Sequence, residues 1–134
     1  MPHLIVEYST NLEKRIPVRE LLKRIHEAAL ASGVFKIGGI RTRAAPRDLY
    51  IVADGDPDNA FIHVEGRIGK GRDAETRRRL ADLILEVLRE QTKDVFATSG
   101  LGLTVEISEL DDAASVKLNN LHERLQAKET NGRR

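Results

Sequence analysis

Apolar positions along the chain change their period several times, and each change marks an element. Leu4 to Tyr8 is a short run rich in β-branched residues, closed by the turn formers Ser9, Thr10 and Asn11, and it predicts a strand. From Pro17 the spacing becomes helical: Val18, Leu21, Leu22, Ile25 and Ala29 share one face, and Gly33 supplies a stop. Pro17 suits the first helical position, where its missing N–H costs nothing. Ile37 to Arg43, broken by Gly38 and Gly39, reads either as an irregular strand or as a loop that carries Arg41 and Arg43 forward. Leu49 to Ala53 predicts a strand ending in the turn Asp54-Gly55-Asp56-Pro57, and Phe61 to Ile68 predicts another.

After the turn Gly69-Lys70-Gly71, Asp73 suits an N-cap. Leu80, Leu83, Ile84, Val87 and Leu88 then make a second amphipathic helix running to about Phe96. Leu101, Leu103, Val105 and Ile107 alternate with Gly102, Thr104, Glu106 and Ser108, the period of a half-buried strand. Leu118, Leu121 and Leu125 predict a short C-terminal helix. The expected boundaries are a single domain over 1–126 and a frayed tail over 127–134.

The order is β-α-β followed by β-α-β, a tandem repeat of the α/β (α+β) class in which Leu4 to Glu7 and Ile62 to Glu65 occupy equivalent places. Long crossover helices imply parallel pairing within each half and helices on one sheet face. The other face then needs a cover, and in so small a chain further copies of the chain are the expected one.

Composition narrows the function. Apolar residues make up 40% and charged residues 32% of the 134, an ordinary globular balance. Aromatics reach only 4% and the net charge is +1, so neither stacking platforms nor a basic field for nucleic acid is expected. There are no cysteines, which removes disulfides, thiolate catalysis and sulfur-bound zinc. Charge arrives at Glu7, too early for a signal peptide, and no apolar run approaches the ~20 residues that span a bilayer. The expectation is a cytoplasmic protein with no membrane partner.

Three residues stand out chemically. A small second residue permits removal of the initiator methionine, so the opening Met1-Pro2 can expose a secondary amine. A free α-amino group titrates near ~8, and burial or neighbouring cations pull that value towards neutrality, where a general base works best. Arg41 follows Gly38-Gly39-Ile40, and Arg72 follows Gly69-Lys70-Gly71 at the mouth of the second helix. Each is placed where a loop presents it, and a guanidinium fork suits a carboxylate. Gly69-Lys70-Gly71 is too short for a Walker loop. His3, His26, His63 and His122 have no metal-ligand spacing and read as structural; Arg77, Arg78 and Arg79 read as a solvated helix face. Arg43 is left outside the site, on the expectation that it faces away from Arg41.

Taken in order, Pro2-His3-Leu4-Ile5-Val6-Glu7-Tyr8-Ser9, Gly39-Ile40-Arg41-Thr42-Arg43, Ala53-Asp54-Gly55, Ile68-Gly69-Lys70-Gly71-Arg72, Glu106-Ile107-Ser108-Glu109-Leu110 and Lys117-Leu118-Asn119-Asn120 resemble the 5-carboxymethyl-2-hydroxymuconate Δ-isomerase family of the tautomerase superfamily. The resemblance spans roughly Pro2 to Leu125. It implies a homotrimer that isomerises a small unsaturated keto polycarboxylate in the breakdown of homoprotocatechuate, with no metal or organic cofactor. On the matching positions, Pro2 is the base, and Arg41 and Arg72 bind carboxylates and stabilise charge on the carbonyl oxygen. Ala44 to Tyr50 departs from the family in having fewer aromatics, which leaves two alternatives open: an isomerase of the same superfamily acting on another 2-hydroxydienoate or a phenylpyruvate-like enol, and a trimeric binding protein without turnover.

Overall fold

The computed structural model describes residues 1–132. β1 (His3–Ser9) and β3 (Ala60–Ile68) form the centre of a four-stranded sheet whose order is β2-β1-β3-β4. β2 (Arg41–Arg47) and β4 (Leu101–Glu109) are its edges. The crossovers α1 (Val18–Ala31) and α2 (Ala74–Gln91) make β1–β2 and β3–β4 parallel, while the central pair β1–β3 is antiparallel. Val6 lies opposite Val64, so the two β-α-β halves meet about the positions that the sequence doubling makes equivalent.

Alternation along the strands decides which face is covered. Leu4, Val6 and Tyr8 of β1 and Ile62, Val64 and Ile68 of β3 are buried against Leu21, Ile25 and Ala29 of α1 and Leu80, Ile84 and Leu88 of α2. Each such aliphatic burial contributes roughly 1.5–3 kcal/mol. Ile62 has no exposed surface, and truncating it leaves a cavity in the centre of the sheet. Ile62→Ala is expected to cost about 2–5 kcal/mol, read as a lower urea midpoint with an unchanged slope.

The other face carries His3, Ile5 and Glu7 of β1 and Phe61, His63 and Glu65 of β3, all half-buried. Polar ladders run across it. Glu7 accepts from Arg47 Nε at 2.7 Å, His63 Nε2 meets Glu106 Oε1 at 2.9 Å, and Arg43 donates to His3 Nδ1 at 3.1 Å.

Several elements differ from the sequence reading. No strand forms over Leu49 to Ala53; Leu49 and Ile51 are 96% and 87% exposed, and Ala53 turns with φ 55°. The places beside β1 and β3 are already taken, and the run pairs with neither edge strand. The second strand is instead Arg41–Arg47, in spite of Pro46, because an edge strand tolerates a residue without an N–H. Pro17 is the N-cap of α1, one place earlier than expected. The second helix breaks at the buried Thr92, whose hydroxyl donates to the Leu88 carbonyl at 2.7 Å, and a separate α3 (Lys93–Thr98) follows.

The closing helix α4 spans Leu121–Gly132, so it passes through Ala127, where a frayed tail was expected, and Leu118 lies before it, fully exposed. None of the residues of α4 is buried, and it meets the rest of the chain at its first turn, where the His122 ring meets Gly38. Arg133 and Arg134 of the expected tail lie outside the described residues.

Candidate active site

Chain geometry around Pro2 is set by the Gly38–Gly39 turn. Gly39 N donates to the Lys36 carbonyl at 3.0 Å, and the buried turn delivers Ile40 into the core at the start of β2. A side chain is excluded at Gly38, whereas at Gly39 it would meet only ordinary contact. A Cβ on Gly38 would run into the His122 ring, and one on Gly39 would lie 3.5 Å from Pro2 Cδ. Arg41 N donates to the Pro2 carbonyl at 3.1 Å, so the β1–β2 ladder begins at the second residue of the chain. Pro2 is thereby fixed in place although it precedes the first strand.

A second loop brings Arg72 to the same place. Gly71, at φ 112°, adopts a backbone conformation that a side chain would strain, just before Asp73 caps α2 by accepting from Thr76 N at 2.8 Å. Those donations to Asp73 hold its carboxyl below the usual carboxylate range. Between them the Arg72 guanidinium donates to the Gly69 carbonyl at 3.2 Å and the Val34 carbonyl at 2.9 Å, and it lies 5.8 Å from the centre of the Phe35 ring. Two of its N–H groups are used in anchoring. The guanidinium has five, so the remainder are available to an anion.

The segment after β4 closes the third side. A turn of 3₁₀ helix over Asp112–Ala114 leads to Lys117 and Asn119. Asn119 Nδ2 donates to the Gly38 carbonyl at 3.1 Å, while its Oδ1 accepts from Leu121 N at 2.7 Å and so starts α4.

These three pieces enclose a cleft of about 680 Å³. Met1 and Pro2 line it together with Phe35, Lys36 and Gly39 from the turn region. Gly69, Lys70 and Arg72 come from the second loop, and Asp112, Lys117, Asn119 and His122 from the closing segment. Four of these side chains are cationic and one is anionic, in a chain whose net charge is only +1. That concentration of charge favours an anionic ligand.

It also acts on the amino terminus. The Met1 amine is held below its ordinary value of 8.0, first by burial and then by the charges of Lys117, Arg41 and Arg72, with Asp112 opposing them. Burial and neighbouring cations both disfavour an ammonium ion, so the two causes add. The Pro2 nitrogen lies one residue further into the same surroundings.

Of the residues singled out by sequence, Pro2 and Arg72 share the cleft wall. Arg41 stands at its edge: its guanidinium turns back to donate to the Gly39 carbonyl at 2.7 Å and does not line the cleft, although its charge reaches the amino terminus. Arg43 shares a face with Arg41, contrary to expectation, because residues two apart on a strand point the same way; their partners are His3 and Ile5.

His26, bonded to Thr42 Oγ1 at 2.7 Å, and His63, between Glu7 and Glu106, keep structural partners. His122 packs its ring on Gly38 and also lines the cleft. Lys117 and Asn119 entered the sequence reading only within the resemblance, with no role, and Gly38-Gly39 was a signal for the place where Asn119 docks. Among the described residues no group of three or more His, Cys, Asp or Glu gathers as a metal site, and no helix is long and apolar enough to cross a membrane.

Comparison with known proteins agrees across the chain. The family model described as 5-carboxymethyl-2-hydroxymuconate isomerase matches residues 2–125. A 5-carboxymethyl-2-hydroxymuconate Delta-isomerase of Escherichia coli is 33% identical over 122 residues, which cover 91% of this chain and 97% of that protein. The crystal structure of a 5-carboxymethyl-2-hydroxymuconate isomerase from Deinococcus radiodurans R1 superposes with a TM-score of 0.85 at 40% identity, over 92% of this chain and 93% of that one. A fused 4-OT wild type symmetric trimer, at 15% identity and a TM-score of 0.61 over 87% of this chain and 92% of its own, shares the fold alone. The tandem β-α-β architecture is therefore tautomerase-like, and the chain is an isomerase belonging to the 5-carboxymethyl-2-hydroxymuconate isomerase family.

Proposed function

We propose that the protein interconverts tautomers of 5-carboxymethyl-2-hydroxymuconate, with the Pro2 amine, freed by removal of Met1, as its general base. The observation that carries this is the juxtaposition in one cleft of Pro2 and four cationic side chains, with the amino terminus held below its ordinary value. A muconate carrying a carboxymethyl arm has three carboxylates, and the cleft's charge suits such a polyanion.

The chemistry follows from these groups. Neutral at working pH, the amine removes a proton from C3 of the 2-oxo tautomer. Negative charge then spreads through the dienolate to the oxygen on C2, and the free N–H groups of Arg72 are placed to stabilise it, with Arg41 adding its charge from the edge. The ammonium so formed returns the proton to C5, two carbons along, and the double bond moves one place. Atoms and electrons balance, and no oxidant or reductant is consumed.

Asp112 opposes the cations, so its removal is informative. An anion near an ammonium ion stabilises the protonated form; Asp112→Asn therefore lowers the amine's value further, and the acid limb of the pH–kcat/KM profile should move to lower pH. An unmoved limb would separate the titrating group from this amine.

The open sheet face, together with exposed Leu49, Ile51, Val116 and Leu118, supports assembly with further copies of the chain, and a trimer is the arrangement named for the fused 4-OT chain of the same fold. Sedimentation should therefore give three times the 15.0 kDa chain mass. A cytoplasmic location is part of the same reading, and the cysteine-free composition fits it.

A second reading keeps the base and changes the substrate to a phenylpyruvate-like enol, favoured by the apolar Phe35 and Leu118 in the cleft wall. Ultraviolet assays on both substrates decide between them: faster turnover of the tricarboxylate supports the first, and turnover of the aromatic enol alone supports the second.

A further inference from the structure

The closing segment has a construction that the base and the arginines leave unexplained. Asn119 joins two parts of the molecule: its amide donates to Gly38 and its oxygen starts α4. Just beyond, the His122 ring sits so close over Gly38 that no Cβ fits there. Within one chain this segment has little else to hold it, for Val116 and Leu118 are 99% and 100% exposed and no residue of α4 is buried. One hydrogen bond, from Asn119 to Gly38, and the packing of the His122 ring on that glycine thus hold a stretch of chain at the cleft, and the cation they bring with them is Lys117.

The expected substrate explains why a cation is wanted there. In a shift between C3 and C5, the carboxymethyl arm hangs on C5, one of the two carbons that exchange a proton with the amine. Its carboxylate is two bonds from the reacting carbon, so the group that binds it has to stand close to the base. Of the cations acting on the amino terminus, Lys117 has the largest influence, ahead of Arg41 at the cleft edge and Arg72 within it. It forms no ion pair among the described residues, and neither do Lys36 and Lys70.

We propose that Lys117, held at the cleft by the clamp of Asn119 and His122 on the Gly38–Gly39 turn, binds the carboxymethyl carboxylate and makes the enzyme select a tricarboxylate over the corresponding dicarboxylate. The inference rests on the function proposed above and assigns the closing segment as its specificity element. Lys117 takes no part in the proton transfer itself; it positions the arm and, through its charge, favours the neutral amine.

The test compares Met1-free wild type, Lys117→Met, Lys117→Arg and Asn119→Ala on 5-carboxymethyl-2-hydroxymuconate and on 2-hydroxymuconate, which lacks the arm. A charge-assisted hydrogen bond converts to a factor of about 10 to 150, so Lys117→Met should raise KM for the tricarboxylate by that much. KM for 2-hydroxymuconate, measured above the acid limb, should rise far less, so discrimination collapses. Lys117→Arg should restore most of it, and Asn119→Ala, which frees the clamp, should show a weaker form of the same split. The acid limb of the pH profile should move to higher pH in Lys117→Met on both substrates, because a cation near the amine is gone. Equal losses on both substrates, or none, would overturn the role of Lys117 alone. A wild type inactive on both would remove the proposed function, and this inference with it.

Discussion

Protein that keeps Met1 is expected to turn over about 10²- to 10⁴-fold more slowly than the same protein beginning at Pro2, the range that a positioned general base contributes. The cause is covalent. While Met1 is attached, the Pro2 nitrogen is an amide whose lone pair is delocalised into the carbonyl, and it cannot accept a proton at working pH. Removal of one residue converts it into a secondary amine without moving Pro2, whose carbonyl remains bonded to Arg41 N and whose ring lies against Gly39. The Met1 amine itself is no substitute, for it stands one residue away from the position fixed by that ladder. Pro2→Ala should lose less, since a primary amine remains. Intact mass identifies each species, and equal rates with and without Met1 would remove Pro2 from the mechanism.

Arg72→Ala should lower kcat by about 10²- to 10³-fold, the cost of removing a donor aimed at a developing oxyanion. Anchoring to the Gly69 and Val34 carbonyls and contact with Phe35 hold the guanidinium before substrate arrives, so little reorganisation accompanies the reaction. Loss of this cation also raises the pKa of the nearby amine, and the acid limb should shift to higher pH as the rate falls. Arg72→Lys restores the charge but not the fork, so it should recover the limb better than the rate. Because Arg72 links two loops, a thermal melt of each variant separates stability from chemistry. A rate loss with no movement of the limb would confine Arg72 to binding at a distance from the base.

Much of the fold was legible because burial and period agree. Leu4, Val6 and Tyr8 alternate in sequence and in the core alike, and the stripes of α1 and α2 fall where 3.6-residue spacing places them. The second strand was misplaced for a physical reason. Leu49, Ile51 and Val52 have the intrinsic character of a strand, whereas Ala44, Ala45 and Pro46 do not, yet ladder positions beside β1 are available only to the latter. Pairing outweighed propensity.

The site shows the same division. Pro2 and Arg72 announce themselves through a terminus and a glycine-rich loop, features local to the sequence. Asn119 and His122 meet a turn more than 75 residues away, and Lys117 comes with them; the Asn119–Gly38 contact spans 81 positions. Such contacts have no period, and although Lys117-Leu118-Asn119-Asn120 belongs to the resemblance, nothing in it names the turn it meets. His122 in particular resembles an ordinary helix histidine until the missing side chain of Gly38 makes room for it.

The most direct test of the central claim is the pH dependence of kcat/KM for 5-carboxymethyl-2-hydroxymuconate with protein whose Met1 has been removed. The account predicts turnover that rises through a single ionisation held below the ordinary value of a free amino-terminal proline, a limb that shifts down in Asp112→Asn and up in Arg72→Ala. An absence of turnover, or a profile that is the same when Met1 is retained, would contradict it.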